Sequence, residues 1–222
     1  MSTRPGEAEV PPGTLIYRGA EADITLGEWQ GLEAVFKSRK PLPYRLPALD
    51  DSIRRQRTVR EAEIMAQSKR AGVRVPFLYA MDLPRATLVM EYVRGDRLRD
   101  LVGSLGTDEA EDTFEGFGRS AARMHMAGIM HGDLTTANVL KTGRDLVFID
   151  FGLSARTNRL EDHAVDLRLI KETLIGAHPG VAQAALDSLF RGYASEVGSQ
   201  RFRSVLRQLR SIERRGRYAR VV

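Results

Sequence analysis

Over residues 14–36, apolar and polar positions alternate in short runs punctuated by Gly19, Gly27 and Gly31, the pattern of strands joined by tight turns. Ala34, Val35 and Phe36 carry an apolar run directly into Lys37. Pro41, Pro43 and Pro47 then interrupt the chain, which predicts neither regular helix nor central strand there. Asp51 or Ser52 offers an N-cap for a helix reaching about residue 70, on which Val59, Ala62, Met65 and Ala66 recur at helical spacing and are expected to face a core. Two strand-like runs follow at 75–81 and 86–92, the second leading into Val93-Arg94-Gly95. Residues 108–127 predict an amphipathic helix: Ala110, Phe114, Phe117, Ala121 and Met124 stand four, three, four and three apart, behind an acidic first turn that suits the helix dipole. Two short apolar runs, 138–141 and 145–150, and two or three further helices complete the chain. Strands first and helices afterwards read as an α+β fold in two lobes, residues 1–93 and 94–222.

Composition narrows the class. Apolar residues at 42% and charged residues at 28% describe a globular chain rather than a disordered one. No apolar stretch approaches the ~18 residues of a membrane span. The start, MSTRPGEAEVPPG, is polar and proline-rich, without the apolar core of a signal peptide. The absence of cysteine excludes disulfides, thiolate metal sites and cysteine nucleophiles. A cytoplasmic protein with no membrane association is the simplest expectation. The net charge of +5 is concentrated at one end. Residues 201–222 carry eight arginines against one acid, Glu213, so the remainder is slightly acidic. Such a tail suits an acidic partner such as RNA, or equally a solvated helix end.

The chemistry is concentrated in residues 131–152. His131-Gly132-Asp133-Leu134-Thr135-Thr136-Ala137-Asn138 is followed, after an apolar run, by Asp150-Phe151-Gly152. Phosphoryl transfer asks mainly for positioning and for cations on the migrating group. A carboxylate and a side-chain amide are suitable oxygen ligands for Mg²⁺, and a further carboxylate must orient the attacking hydroxyl or water. Asp133 is assigned that orienting role, and Asn138 and Asp150 the metal. Each fragment is weak by itself, since Asp-Phe-Gly is commonly a turn and a lone histidine a structural residue. HxDxxxxN and DFG in this order, with a strand-length spacer, indicate a protein-kinase-like fold.

The first lobe supplies the complement. Lys37 at the end of its strand can neutralise the α and β phosphates of ATP, and Glu61 on the next helix can hold it, with Lys40 and Glu63 as the rivals. Gly19-Ala20-Glu21-Ala22 would cover the phosphates without a full GxGxxG. Met90-Glu91-Tyr92-Val93 would link the lobes, Glu91 and Val93 offering backbone groups to adenine. Gly132 stands where many regulated kinases have arginine, about ten residues separate Gly152 from the next helix, and no Ala-Pro-Glu follows. The activation segment is minimal and offers a peptide substrate little platform.

The sequence resembles the small atypical kinase subunit of the KEOPS (EKC) complex, the PRPK-like family, over nearly its whole length. The matching segments are Gly19-Ala20-Glu21-Ala22, Lys37-Ser38-Arg39-Lys40, Tyr44-Arg45, Pro47-Ala48-Leu49-Asp50 and Arg57-Thr58-Val59-Arg60-Glu61-Ala62. Further along they are the 131–138 loop, Glu161-Asp162-His163-Ala164-Val165-Asp166-Leu167 and Arg215-Gly216-Arg217. The resemblance implies Mg²⁺·ATP binding, ATPase activity that supports tRNA threonylcarbamoyladenosine formation, and serine/threonine autophosphorylation. Implied partners are a carbamoyltransferase-like subunit, other KEOPS subunits and tRNA at the basic tail. The chain departs from the pattern at Ala137, where the family usually has serine, and at Tyr218-Ala219, which stand before Arg220 where the family continues with basic residues. Three other classes remain as alternatives: a free-standing serine/threonine kinase, a non-turnover ATP-binding scaffold and a small-molecule phosphotransferase.

Overall fold

The computed structural model describes residues 13–218. The polar N-terminal stretch, and Ala219 and Arg220 of the basic tail, lie outside the described residues. The chain forms two compact units. Of the described residues, 13–62 and 77–92 make the first; 63–76 and 93–218 make the second. The stretch 63–76, which a single cut at residue 93 assigns to the first lobe, thus groups with the second.

The first unit is built on an antiparallel sheet of β1 (Thr14–Arg18), β2 (Ala22–Trp29), β3 (Leu32–Arg39), β4 (Leu78–Asp82) and β5 (Thr87–Glu91), in the order β1-β2-β3-β5-β4. A two-residue turn, Gln30-Gly31, joins β2 to β3 with φ of 50° and 80°. Both positive values match the primed turns that follow the strand twist. Gly27, read as punctuation, lies instead inside β2 opposite Ala34, where a Cβ would meet the Phe36 ring at 3.0 Å. It is a packing glycine. Ala34, Phe36 and Val89 form the buried core of the sheet, with Trp29 edge-on to Phe36 at 6.5 Å.

Helix α1 spans Pro47–Arg70 and so begins earlier than the expected cap at 51 or 52. Proline is well placed in a first helical turn, where its missing N–H would have no intrahelical acceptor. Of the expected core positions, Ala62 and Met65 are buried, Val59 is half-buried and Ala66 is exposed. The buried stripe instead runs through Thr58, Glu61, Ala62, Ile64, Met65 and Ser68. Apolar periodicity missed it because three of its members are polar.

In the second unit α2 (Leu98–Leu101) is followed by α3 (Thr107–Met126), whose Phe114, Phe117, Ala121 and Met124 are fully buried. Strands β6 (Asp96–Arg97), β8 (Val139–Thr142) and β9 (Asp145–Phe148) form one small sheet; β7 (Ile129–Met130) pairs with β10 (Ala155–Arg156). A single 3-10 turn at Thr136–Asn138 enters β8. Helix α4 covers Leu160–Ala177, and α5 covers Ala182–Tyr218 with a break at Gly198, where φ is 77°. Leu153 to Arg159 is therefore all that separates Gly152 from a helix.

Helices α3 and α5 meet through two glycines. A Cβ on Gly118 would overlap the Leu189 carbonyl, and one on Gly192 would overlap that of Glu115. On an open helix, Gly→Ala stabilises by about 1 kcal/mol. Here Gly192→Ala is expected to reverse the sign and destabilise by roughly 3 kcal/mol, because the backbones must separate. Urea unfolding of the two proteins measures the difference; equal midpoints would contradict the close crossing.

Candidate active site

Each unit contributes its own cluster of the expected residues. In the first, Lys37 lies mid-sheet on β3, paired in register with Ile24 and Leu88. Its ammonium donates to Glu61 Oε1 on α1 at 2.6 Å, and the Arg39 guanidinium donates to Glu61 Oε2 at the same distance. All three side chains are buried. The rivals are placed elsewhere. Lys40 donates to the Gly19 carbonyl and pairs with Asp23 at 3.2 Å, while exposed Glu63 pairs with Arg156 at 3.5 Å.

The turn from β1 to β2 closes where Gly19 N–H donates to the Ala22 carbonyl at 2.9 Å, with Ala20 at its bend. A Cβ at Gly19 would come within 2.7 Å of that carbonyl. Glu21 of the same turn pairs with Arg57 at 2.5 Å and Arg39 at 4.0 Å. Met90 is buried at the end of β5. Glu91 donates its N–H to the Phe77 carbonyl at 2.8 Å and accepts the Phe77 N–H on its carboxylate at 3.0 Å. Val93 is buried in the second unit.

In the second unit the loop after β7 is held from below by Asp166 on α4. Its two carboxylate oxygens accept the backbone N–H of His131 at 2.6 Å and of Gly132 at 2.8 Å. Gly132 has φ of 82°, and a Cβ there would overlap the Leu153 carbonyl. This explains glycine in place of arginine: no L side chain fits that bend. His131 is fully buried against Phe151, its ring accepting the Asp133 N–H on Nδ1 and donating from Nε2 to the Ile149 carbonyl at 3.2 Å. Asn138 Nδ2 donates twice to Asp133, to the side-chain Oδ2 at 2.7 Å and to the backbone carbonyl at 3.0 Å. The amide is thereby fixed, with Oδ1 left as a ligand-type atom. Asp150, exposed and at φ of 61°, accepts the Gly152 N–H on Oδ1 at 3.3 Å.

The electrostatics follow from burial. Desolvation pushes the Asp166 carboxyl up, but the His125 and His131 contacts outweigh it and hold the group below its ordinary value. His125 donates from Nε2 to Asp166 at 3.1 Å, pairs through Nδ1 with the Tyr193 hydroxyl at 2.8 Å and stacks on His163 at 4.4 Å. Burial lowers His131 and drives the Tyr193 phenol up. Burial, with His125 beside it, lowers His163 to about 4. Sequence reasoning assigned no role to Arg39, His125, Asp166 or Tyr193. The segments around Arg39 and Asp166 stand in the matched motifs, and that was the only signal for them.

The donor set suits a hard cation only in part. Among the described residues no group of three or more histidine or carboxylate side chains could hold a metal. One amide oxygen and one carboxylate fit a Mg²⁺ ion that takes its remaining ligands from phosphates and water.

An unfolded histidine titrates near 6.5, whereas His163 stays neutral down to about 4. Between these values the unfolded chain binds more protons, so stability falls as pH drops from about 6.5 and levels off below about 4, by at most roughly 3 kcal/mol from this residue. His131 acts in the same direction from 6.5 downward. His163→Phe, which keeps the stack, is expected to give a shallower loss over that interval in denaturant titrations; an unchanged slope would contradict the assignment.

The RIO domain family matches residues 49–167. The KEOPS complex subunit Bud32 of Pyrococcus abyssi is 36% identical over 92% of this chain and 96% of its own length. A probable bifunctional tRNA threonylcarbamoyladenosine biosynthesis protein of Methanothermobacter thermautotrophicus is 39% identical over 95% of this chain, which spans only 37% of that relative. Among solved structures, WaaP in complex with acyl carrier protein aligns over 93% of this chain and 88% of its own, with a TM-score of 0.65 at 15% identity. The Rio2 kinase–ADP/Mg²⁺–phosphoaspartate complex from Chaetomium thermophilum aligns over 93% of this chain and 71% of its own, with a TM-score of 0.63 at 20% identity. These structures show the fold: kinase-like, with a β-sheet N-lobe and a helical C-lobe. The chain belongs to the RIO-domain family and, within it, to the Bud32-like atypical kinases of KEOPS.

Proposed function

We propose that this chain is a Mg²⁺·ATP-dependent atypical kinase and ATPase that works within KEOPS in support of tRNA threonylcarbamoyladenosine modification and can autophosphorylate on serine or threonine. The observation that carries the reading is the double hydrogen bond from the Asn138 amide to Asp133, at 2.7 and 3.0 Å. It supports the reading because an amide oxygen of metal-ligand type and a carboxylate then share one loop, with Asp150 next in motif order.

The roles follow from the chemistry of the groups. Lys37, held by Glu61, meets phosphate oxygens; the turn at Gly19 and Ala20 covers them. Met90, the Glu91 carbonyl and Val93 border the base. Asn138 Oδ1 and the Asp150 carboxylate would hold Mg²⁺, which would supply neutralisation of phosphate charge. The Asp133 carboxylate orients the hydroxyl or water that attacks. Residues 153–159 are too few to form a peptide platform, which favours water or the complex itself as acceptor over an external protein.

Partners are proposed from two supports. Relatives named as a KEOPS subunit and as a bifunctional tRNA threonylcarbamoyladenosine biosynthesis protein support KEOPS subunits as partners, and the carbamoyltransferase-like subunit is the one that the sequence resemblance implies. On α5, exposed Arg203, Arg207, Arg210 and Arg214 recur at four, three and four residues, one stripe on a helix, and this suits tRNA phosphates. Among the described residues no helix is long and apolar enough to cross a membrane, and the cytoplasm is the proposed compartment.

Asp150→Ala is expected to lower Mg²⁺-dependent ATP turnover at least ~100-fold, as loss of a charge-stabilising group does at comparable sites. Its circular dichroism should not change, because the side chain is exposed. Wild-type turnover would overturn the metal assignment. Replacing the four stripe arginines by glutamine should weaken tRNA binding and flatten its salt dependence while leaving ATP affinity unaltered; an unchanged salt slope would rule out the stripe as the contact.

A further inference from the structure

Glu61 is a buried carboxylate with two cations rather than one. Lys37 and Arg39 stand two residues apart on β3 and so project from the same face of the sheet. Each takes a different oxygen of Glu61, Lys37 the Oε1 and Arg39 the Oε2, both at 2.6 Å. Side-chain exposures are 9% for Lys37, 6% for Arg39 and 2% for Glu61. A buried carboxylate left without a cation is strongly unfavourable, so in an isolated pair the ammonium is bound to its partner. In this triad the carboxylate stays compensated when one cation leaves.

Arg39 is also tied to its surroundings beyond Glu61. Its N–H donates to the Ala86 carbonyl at 3.1 Å and its own carbonyl accepts from Arg54 at 3.4 Å. Its Nη1 lies 4.0 Å from Glu21 in the turn after β1, and Arg57 of α1 holds that Glu21 at 2.5 Å. A chain of alternating charge thus runs Lys37, Glu61, Arg39, Glu21, Arg57, linking the lysine to the 19–21 turn.

We propose that Arg39 is a positioning residue: it keeps Glu61 neutralised and oriented so that the Lys37 ammonium can move its contact to an anionic ligand, and it couples that carboxylate to the turn through Glu21. The proposal rests on the Mg²⁺·ATP reading only in naming the anion as a nucleotide phosphate.

The electrostatic claim is tested without nucleotide, by thermal denaturation of the full chain carrying Lys37→Ala, Arg39→Gln and both. Each single variant leaves Glu61 one cation, whereas the double variant leaves it without either. The double variant is expected to lose more melting temperature than the sum of the two singles, and adding Glu61→Gln to it should recover most of that excess. Additive losses, or no recovery, would overturn the proposal. If Arg39→Gln does not fold, Arg39→Lys takes its place in kinetics. A shorter side chain that cannot reach both carboxylates should raise KM for ATP severalfold with little change in kcat, and an unchanged KM would count against the coupling. Should the wild-type chain bind no ATP while the cycle is still non-additive, the nucleotide reading fails and the charge-holding role of Arg39 stands.

Discussion

The 131–138 loop depends on one buried carboxylate. Asp166 rises from α4 into a site with no exposure and there collects two backbone N–H groups and the His125 imidazole. A buried charge of this kind is tolerable only when its lone pairs are satisfied by hydrogen bonds. That requirement fixes the backbone of His131 and Gly132, and the bend at Gly132 then sets where Asp133 begins. Asp133 orients Asn138 through its amide, and Asn138 returns a backbone carbonyl to the Ile149 N–H at 3.0 Å, one residue before Asp150. The sequence of constraints therefore passes from a core aspartate to all three residues of the proposed phosphoryl-transfer chemistry.

The same principle recurs in the first unit with the opposite balance. Glu61 is likewise a buried helix carboxylate, but its donors are two basic side chains instead of backbone N–H groups and an imidazole. A cage of backbone N–H groups and one imidazole suits a fixed loop, because the backbone donors cannot leave without undoing the bend. A surplus of cation suits the role proposed for Lys37, because the carboxylate does not lose its compensation when the ammonium turns away. The rigid and the adaptable parts of the chemistry are thus distinguished by what surrounds a glutamate and an aspartate of equal burial.

Much of this was legible in the residues. The 108–127 stripe yielded α3 to within a residue at each end, and Phe114, Phe117, Ala121 and Met124 are buried as its spacing requires. The strand running into Lys37 also followed from local pattern, whereas the choice of Glu61 over its rival Glu63 is made by the structure. What escaped was long-range or polar. The start of α1 at Pro47 was hidden by a rule about helix interiors that does not apply to a first turn. The stripe of α1 was misjudged because Thr58, Glu61 and Ser68 are buried by hydrogen bonds and charge, which hydrophobic periodicity does not register. Contacts such as His125 with Tyr193, 68 residues apart, leave no signature in any local window. Gly132 was seen as a missing arginine, although only the Leu153 carbonyl above it explains why glycine must be there.

The central claim is that the 131–138 loop turns over ATP as part of a tRNA-modifying assembly. It is tested most directly by measuring ATP hydrolysis with and without a carbamoyltransferase-like KEOPS subunit, for the wild-type chain and for Asp133→Asn. Hydrolysis is expected to rise with the partner and to be lost in the variant. Turnover indifferent to the partner and retained in Asp133→Asn would contradict it.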